Sequence, residues 1–159
     1  MEVLPERFNR FKLDLHPEKT RLIPFGMPAR IGKPKGTFDF LGFTFYWGKS
    51  LKGNWVIKKQ TARKRRNRFM RMLWNWCKEN RHDPLKEQHE TLCSKLRGFY
   101  QYFGVRSNYK ALEVVFICAM KAWRFWLSRR SHKGGISWNK FEKIQLSYPL
   151  PKPRIIHNI

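Results

Sequence analysis

The residues with the clearest chemical potential lie between Lys58 and Arg71, where KKQTARKRRNRFMR carries eight lysines and arginines in fourteen positions and no acid. Guanidinium and ammonium groups at this density suit pairing with the repeated phosphates of a polyanion, which releases its counterions. Runs of like charge mark interaction surfaces more often than plain solvated faces. Catalytic groups are scarcer. Nothing in the sequence places a nucleophile beside His16, His132 or His157, so a hydrolase triad has no support. Cys77, His82, His89 and Cys93 supply four potential ligands across a helix-loop-helix, but their spacing matches no zinc pattern, and no metal site is expected. Cys77, Cys93 and Cys118 form no CxxC pair and read as reduced thiols in the core of a cytosolic protein.

The cationic run needs a rigid carrier. With Thr61 as N-cap, a helix is expected from Ala62 to about Asn80, because Phe69, Leu73, Trp76 and Cys77, with Met70 and Trp74, recur three and four apart. Lys64, Arg68, Arg71 and Lys78 then fall opposite Leu73, and the first turn is basic nearly all round. Cations there oppose the positive end of the helix dipole unless a polyanion sits against them. Pro84 stops this helix. A second is expected from Lys86 to Phe103, with Leu92, Leu96, Phe99 and Phe103 on one face and Gly104 as its stop. A third, capped by Asn108 and running to about Arg130, is apolar almost all round and should be central. Ser137 caps a short helix with Trp138 and Phe141, and YPLPKPRIIHNI is an extended tail.

Ahead of the helices the pattern is different. Pro5–Lys12 is a short helical stretch, Leu13 and Leu15 alternate as in a strand, and Arg21–Phe25 is a strand candidate. TFDFLGFTFYW, residues 37–47, reads as strand, turn and strand, and Trp55–Lys59 as a returning strand. Met27–Gly36 is a basic loop. Trp74, Trp76, Trp123 and Trp126 lie at helical spacing and are assigned to the core. LRGFYQYFG, residues 96–104, puts Gly98 on a helix among tyrosines, which suits either close helix packing or close approach of a sugar-phosphate chain.

Composition agrees with the cationic run. The 159 residues contain 34 Lys plus Arg against 11 Asp plus Glu, a net charge of +23, with a pI near 10.6. Nucleic acid is the leading partner. An anionic membrane surface is the rival, weakened because the apolar residues form several stripes with tryptophans inside them rather than one surface helix. No stretch of about 18 residues is free of charge, so no spanning helix is expected, and Met1–Lys19 is too polar for a signal peptide.

Three stretches then converge on a family. LHPEKTRLI (Leu15–Ile23), FDFLGF (Phe38–Phe43), and LRGFYQYFG followed by WNKFEK and PKPRIIH resemble, in order and spacing, the C-terminal portion of bacterial group II intron-encoded reverse transcriptase/maturases. The resemblance covers nearly the whole chain. It implies an α+β architecture: a small antiparallel hairpin and sheet from the end of a polymerase palm in residues 1–59, a three-helix thumb or maturase bundle in 60–132, and a short helix with a Pro-rich tail in 133–159. It implies that Leu41, Gly42 and Phe43 form a primer-grip-like turn, and that Lys19 lies near an incoming nucleotide in a complete polymerase. The family's Tyr-Ala-Asp-Asp motif has no counterpart here. Asp14, Asp39 and Asp83 are the only aspartates, and no two are adjacent to hold the Mg²⁺ ions of nucleotidyl transfer.

The expectation is therefore an RNA-binding fragment that supports the splicing of a structured group II intron RNA, without catalysis or cofactor of its own, in the cytoplasm. Lys58, Lys59, Arg63, Lys64, Arg65, Arg66, Arg68, Arg71, Arg97 and Tyr100 are its candidate RNA contacts. The alternatives are one piece of a split reverse transcriptase, whose partner chain supplies fingers, palm and Mg²⁺ site, or a non-functional remnant with unpaired sheet edges.

Overall fold

The computed structural model describes residues 3–16, 18, 20, 22–29, 36–130 and 135–157. Its elements are α1 (Val3–Asn9), β1 (Phe38–Phe40), β2 (Phe43–Lys49), β3 (Trp55–Thr61), α2 (Arg63–Glu79), α3 (Leu85–Phe103), a 3-10 turn (Arg106–Asn108), α4 (Tyr109–Leu127) and α5 (Trp138–Ser147). The class is α+β. The strands form one sheet in the order β1-β2-β3, and its short connections make it antiparallel.

The chain divides into two compact units, one of Met1–Phe38 with Tyr46–Ile57, the other of Asp39–Phe45 with Lys58–Ile159. In the first, Phe25 packs edge-on against Phe38 and stacks on Trp47, with centroids 4.8 and 5.6 Å apart. The Trp47 and Trp55 indole N–H groups donate to the carbonyls of Phe25 and Ala29 at 3.4 and 3.2 Å. Helix α1 buries nothing. The strands expected at Leu13–Leu15 and in the Arg21–Phe25 stretch do not form among the described residues there, which run without regular structure. Neither segment has a partner strand in the sheet, and a lone strand leaves its backbone polar groups unsatisfied.

The second unit holds the core. Leu73 and Cys77 of α2, Leu92, Leu96, Phe99 and Tyr100 of α3, and Leu112, Val115, Ala119, Ala122, Trp123 and Leu127 of α4 form one buried cluster, which Phe141 of α5 and Leu150 complete. Helix α4 packs against both α2 and α3, but its apolar circumference is not wholly covered, since Val114 and Ile117 on its outer side are exposed. Gln88 is matched inside the cluster, whereas the Tyr100 hydroxyl is enclosed without a partner. Gln88, only 1% exposed, accepts the Trp123 indole N–H at 2.8 Å and donates to the carbonyls of Arg81 and Asp83. Arg130 donates to the same two carbonyls, so the α2–α3 connection is anchored from α3 and from the segment just past the end of α4.

One cap lies elsewhere than expected, and two stand where expected without the usual capping geometry. The N-cap of α2 is Ala62, with no side-chain bond, because Thr61 ends β3 and its hydroxyl and N–H are both taken by Asn108 at 2.7 and 2.8 Å. Asn108 does precede α4, but its side chain also donates to the Phe103 carbonyl instead of capping. Gly104 ends α3 without the left-handed φ of a glycine cap; its φ is −75°. Its lack of a side chain serves close packing instead: a Cβ there would meet the Tyr100 carbonyl oxygen, and the tail backbone at Arg154 and Ile156 lies 3.1 to 3.2 Å away. The Ile156 and His157 N–H groups donate to the Gly104 carbonyl at 2.7 and 2.9 Å. The extended tail is thus bound along α3, with the His89 ring 2.9 Å from the Pro149 carbonyl at its other end.

The free border of β3 is partly covered. Lys59 donates to Ser107 Oγ and accepts from it, at 3.1 and 2.6 Å, and Thr61 donates to Asn108 Oδ1. The outward-pointing backbone of that half of the strand is therefore satisfied by side chains of the 3-10 turn.

Candidate nucleic-acid interface

Around α2 the unit brings together three features that lie far apart in sequence. The β1–β2 connection is a two-residue hairpin turn with Leu41 at φ 49° and Gly42 at φ 80°, the left-handed pair that a primed turn requires. Glycine adopts this without cost, whereas leucine is strained there by roughly 1 to 2 kcal/mol. Tyr102 on α3 donates its hydroxyl to the Leu41 carbonyl at 2.9 Å, and the Ala62 N–H donates to the Gly42 carbonyl at 2.8 Å. Phe43 stacks on Tyr102 at 5.9 Å and meets Phe103 edge-on at 5.1 Å. A side chain at position 42 would touch Phe103 and the stem of Arg65 at 3.5 to 3.6 Å, so the turn rests directly on α2 and α3. Leu41 itself is 68% exposed and fills no core position. Leu41→Gly is expected to raise the unfolding free energy by roughly 1 kcal/mol, read by urea denaturation. Unchanged or lowered stability would mean that the leucine side chain makes an interaction worth the strain.

The turn closes one end of a cleft of about 450 Å³. Phe69 and Met72 of α2 and Phe99, Tyr102 and Phe103 of α3 form its apolar wall, and Arg65 and Arg68 stand at its rim. A second hollow of about 400 Å³ shares Arg68 and Met72 with the first and continues past Arg71, Asn75 and Trp76 to Lys95 and Glu79. The Lys95 ammonium lies over the Trp76 ring, 5.7 Å from its centroid.

The electrostatics of α2 are lopsided. Arg63, Lys64, Arg65, Arg68, Arg71 and Lys78 are all exposed, its first turn holds no acid, and Glu79 is its sole carboxylate. Cations clustered at an uncapped N-terminus oppose the helix dipole by about 0.3 to 1 kcal/mol each, which a bound polyanion would relieve.

Not every candidate RNA residue lies on this face. Arg66 is half-buried on the Leu73 side of α2, with its Nε enclosed and without a partner. Lys58 and Lys59 are half-buried on β3, and Arg97 is exposed on α3 but does not line either hollow. Tyr100 is a correction: it is 1% exposed in the core, and burial pushes its phenol pKa up. Its spacing from Cys93 and Leu96 is the core stripe of α3, and that periodicity could have excluded it. Tyr102, which is 53% exposed, is the tyrosine that reaches the cleft. Phe69, Phe99 and Phe103 lie on the apolar stripes read from the sequence, and no signal there singled out Met72. Lys19 lies outside the described residues.

Gly98 is exposed on α3, and nothing lies within 4 Å of where its Cβ would be, so helix packing does not explain it. Gly98→Ala is expected to stabilise the fold by roughly 0.5 to 1 kcal/mol in thermal denaturation. If the open helix surface serves close approach of a nucleic-acid backbone, the same variant should bind RNA more weakly, and equal or better binding would remove Gly98 from the interface.

The cysteine and histidine cluster does not form a reactive centre. Cys93 Sγ is 3.2 Å from His89 Nε2, but that nitrogen also faces the Pro149 carbonyl, which can only accept, so its proton goes there. Burial pushes the Cys93 and Cys118 thiols up and raises Cys77 to about 12, which suits inert core thiols. Among the described residues no group of three or more potential ligands could hold a metal ion. Nor is any helix among them long and apolar enough to cross a membrane. No protein-family model, curated protein or solved structure matches the chain.

Proposed function

We propose that the chain is an RNA-binding domain of the maturase or thumb type, which grips a folded intron RNA and leaves the transesterifications of splicing to the RNA itself. The observation that carries this reading is the cleft in which the Leu41–Gly42 turn, the basic face of α2 and the aromatic end of α3 meet. Exposed arginines and lysines along one rigid helix supply sequence-independent affinity for phosphates, and the turn and aromatic wall give the surface a shape that a featureless duplex does not need. A salt titration of binding to a structured RNA tests it. With six to ten phosphate contacts, affinity should fall by roughly 10³ to 10⁵ between about 50 and 200 mM salt. A flat salt response, or equal affinity for any duplex DNA, would sink the proposal.

A second reading, one piece of a split reverse transcriptase, is favoured by the left-handed turn at Leu41 and Gly42, which Tyr102 and Ala62 hold in place. In that setting the turn would position a primer end, and the partner chain would provide the carboxylates and their Mg²⁺ ions. Primer extension that appears only when such a chain is added would support it; none at any ratio would leave the maturase reading alone.

A further inference from the structure

The two hollows beside α2 have Arg68 and Met72 in common in their walls, and their chemistry differs. At the end closed by Leu41 the wall is aromatic and apolar, with guanidinium groups only at the rim; beyond Met72 it becomes cationic, with Arg71 and Lys95. A nucleic-acid duplex fits the second part and not the first, because its bases are stacked on one another and it presents phosphates and base edges. The apolar end would then stay wet. An unpaired base has a flat π-face for such a wall, and its own phosphate carries the charge that the rim calls for. The α2 residues that line the two hollows run from Arg65 to Glu79, about 21 Å at 1.5 Å per residue. On α3, Gly98 lies between Lys95 and Tyr102 on the same face, at the spacing of successive turns, and presents no side chain. Glu79 places a negative charge at the far end.

We propose that these hollows seat an unpaired nucleotide of the bound RNA, its base against Tyr102 and Phe103 and its phosphate on Arg65 and Arg68, with the neighbouring strand continuing towards Arg71 and Lys95. The proposal rests on the RNA-binding reading and specifies which feature of the RNA this site takes. It makes the domain a reader of loops and bulges, where bases are free, in preference to continuous helix.

The test uses an RNA hairpin with an apical loop, the same hairpin with abasic residues in the loop, and a fully paired duplex of equal charge. Each is titrated against the wild-type chain and against Met72→Trp, which enlarges a side chain in the wall of both hollows. Removing the seated base leaves every phosphate in place, so affinity should fall by roughly 5- to 150-fold per base. The penalty of Met72→Trp should be large on the intact loop and vanish on the abasic one. Equal affinity for all three RNAs with a steep salt dependence would overturn the unpaired-nucleotide proposal and leave RNA binding standing. Absence of salt-dependent binding to any of them would overturn both. If Met72→Trp instead abolished self-association or binding of an acidic peptide, with all RNA affinities unchanged, the hollows would belong to a protein. The abasic arm needs no change to the chain, so poor folding of Met72→Trp cannot protect the proposal.

Discussion

Trp123→Ala is expected to leave most of the chain unfolded at room temperature. The side chain is fully buried, packs edge-on against Phe141 at 5.7 Å and lies 6.4 Å from the His89 ring. Truncating a buried tryptophan costs about 3 to 5 kcal/mol in lost transfer energy and residual cavity. Here the loss of the indole N–H also strips Gln88 Oε1 of its donor inside the core, which adds roughly 1 to 3 kcal/mol. A domain with about 5 to 15 kcal/mol in total has little left after that. Urea denaturation followed by circular dichroism would measure it, with Trp138→Ala as the control. Trp138 is 45% exposed and its main partner is the Arg124 guanidinium 4.1 Å above the ring, so that change should cost about 1 kcal/mol. Similar losses for the two would mean that the core is not organised around α4.

The second large effect is on binding. Arg65→Gln with Arg68→Gln removes two exposed guanidinium groups from the rim of the cleft and leaves the buried side of α2 untouched. Each charged hydrogen bond to a phosphate is worth about 1.5 to 3 kcal/mol, so the pair should weaken RNA binding by a factor on the order of 100 or more. The slope of log affinity against log salt should become shallower by about 0.7 to 0.9 for each phosphate that is no longer neutralised. The melting temperature should stay unchanged or rise, because cations near an uncapped helix start are unfavourable in the free chain. Arg66 is left out deliberately: it sits on the packed side of α2, and a glutamine there would confuse stability with affinity. An unaltered salt slope would mean that RNA phosphates are held elsewhere on the chain.

How far the fold was readable depended on whether a segment carried its own signal. The apolar spacing in α2, α3 and α4, the proline at 84 and the serine at 137 are local, and each element formed within a few residues of where they placed it. The strand-turn-strand at FDFLGF was legible for the same reason, since the hairpin turn is made by two adjacent residues. The one cap that moved was of another kind. Asn108 and Gly104 do stand at the start of α4 and the end of α3, but Thr61 is held by Asn108 and α2 is capped one residue later, at Ala62; Asn108 and Gly104 also serve long-range partners, Thr61 and the tail. Capping propensities rank local choices and carry no information about a residue 47 positions away. The basic face was visible because charge needs no partner to be exposed. Its cleft was not, because Leu41, Met72 and Tyr102 come together only when the hairpin and two helices meet; Tyr100, by contrast, stood on the apolar stripe of α3 and was readable as buried.

The Ser107 and Asn108 plugs on β3 also bear on what copies of this chain can do to one another. Stacking sheets side by side into a fibril requires every copy to offer two hydrogen-bonding borders, one to receive and one to extend. With Lys59 and Thr61 occupied, the β3 border retains at most Trp55–Ile57, a ladder shorter than most strands. Growth by that route therefore stops at a pair for as long as the 3-10 turn stays docked, and a chain this rich in aromatic residues gains a built-in brake on amyloid.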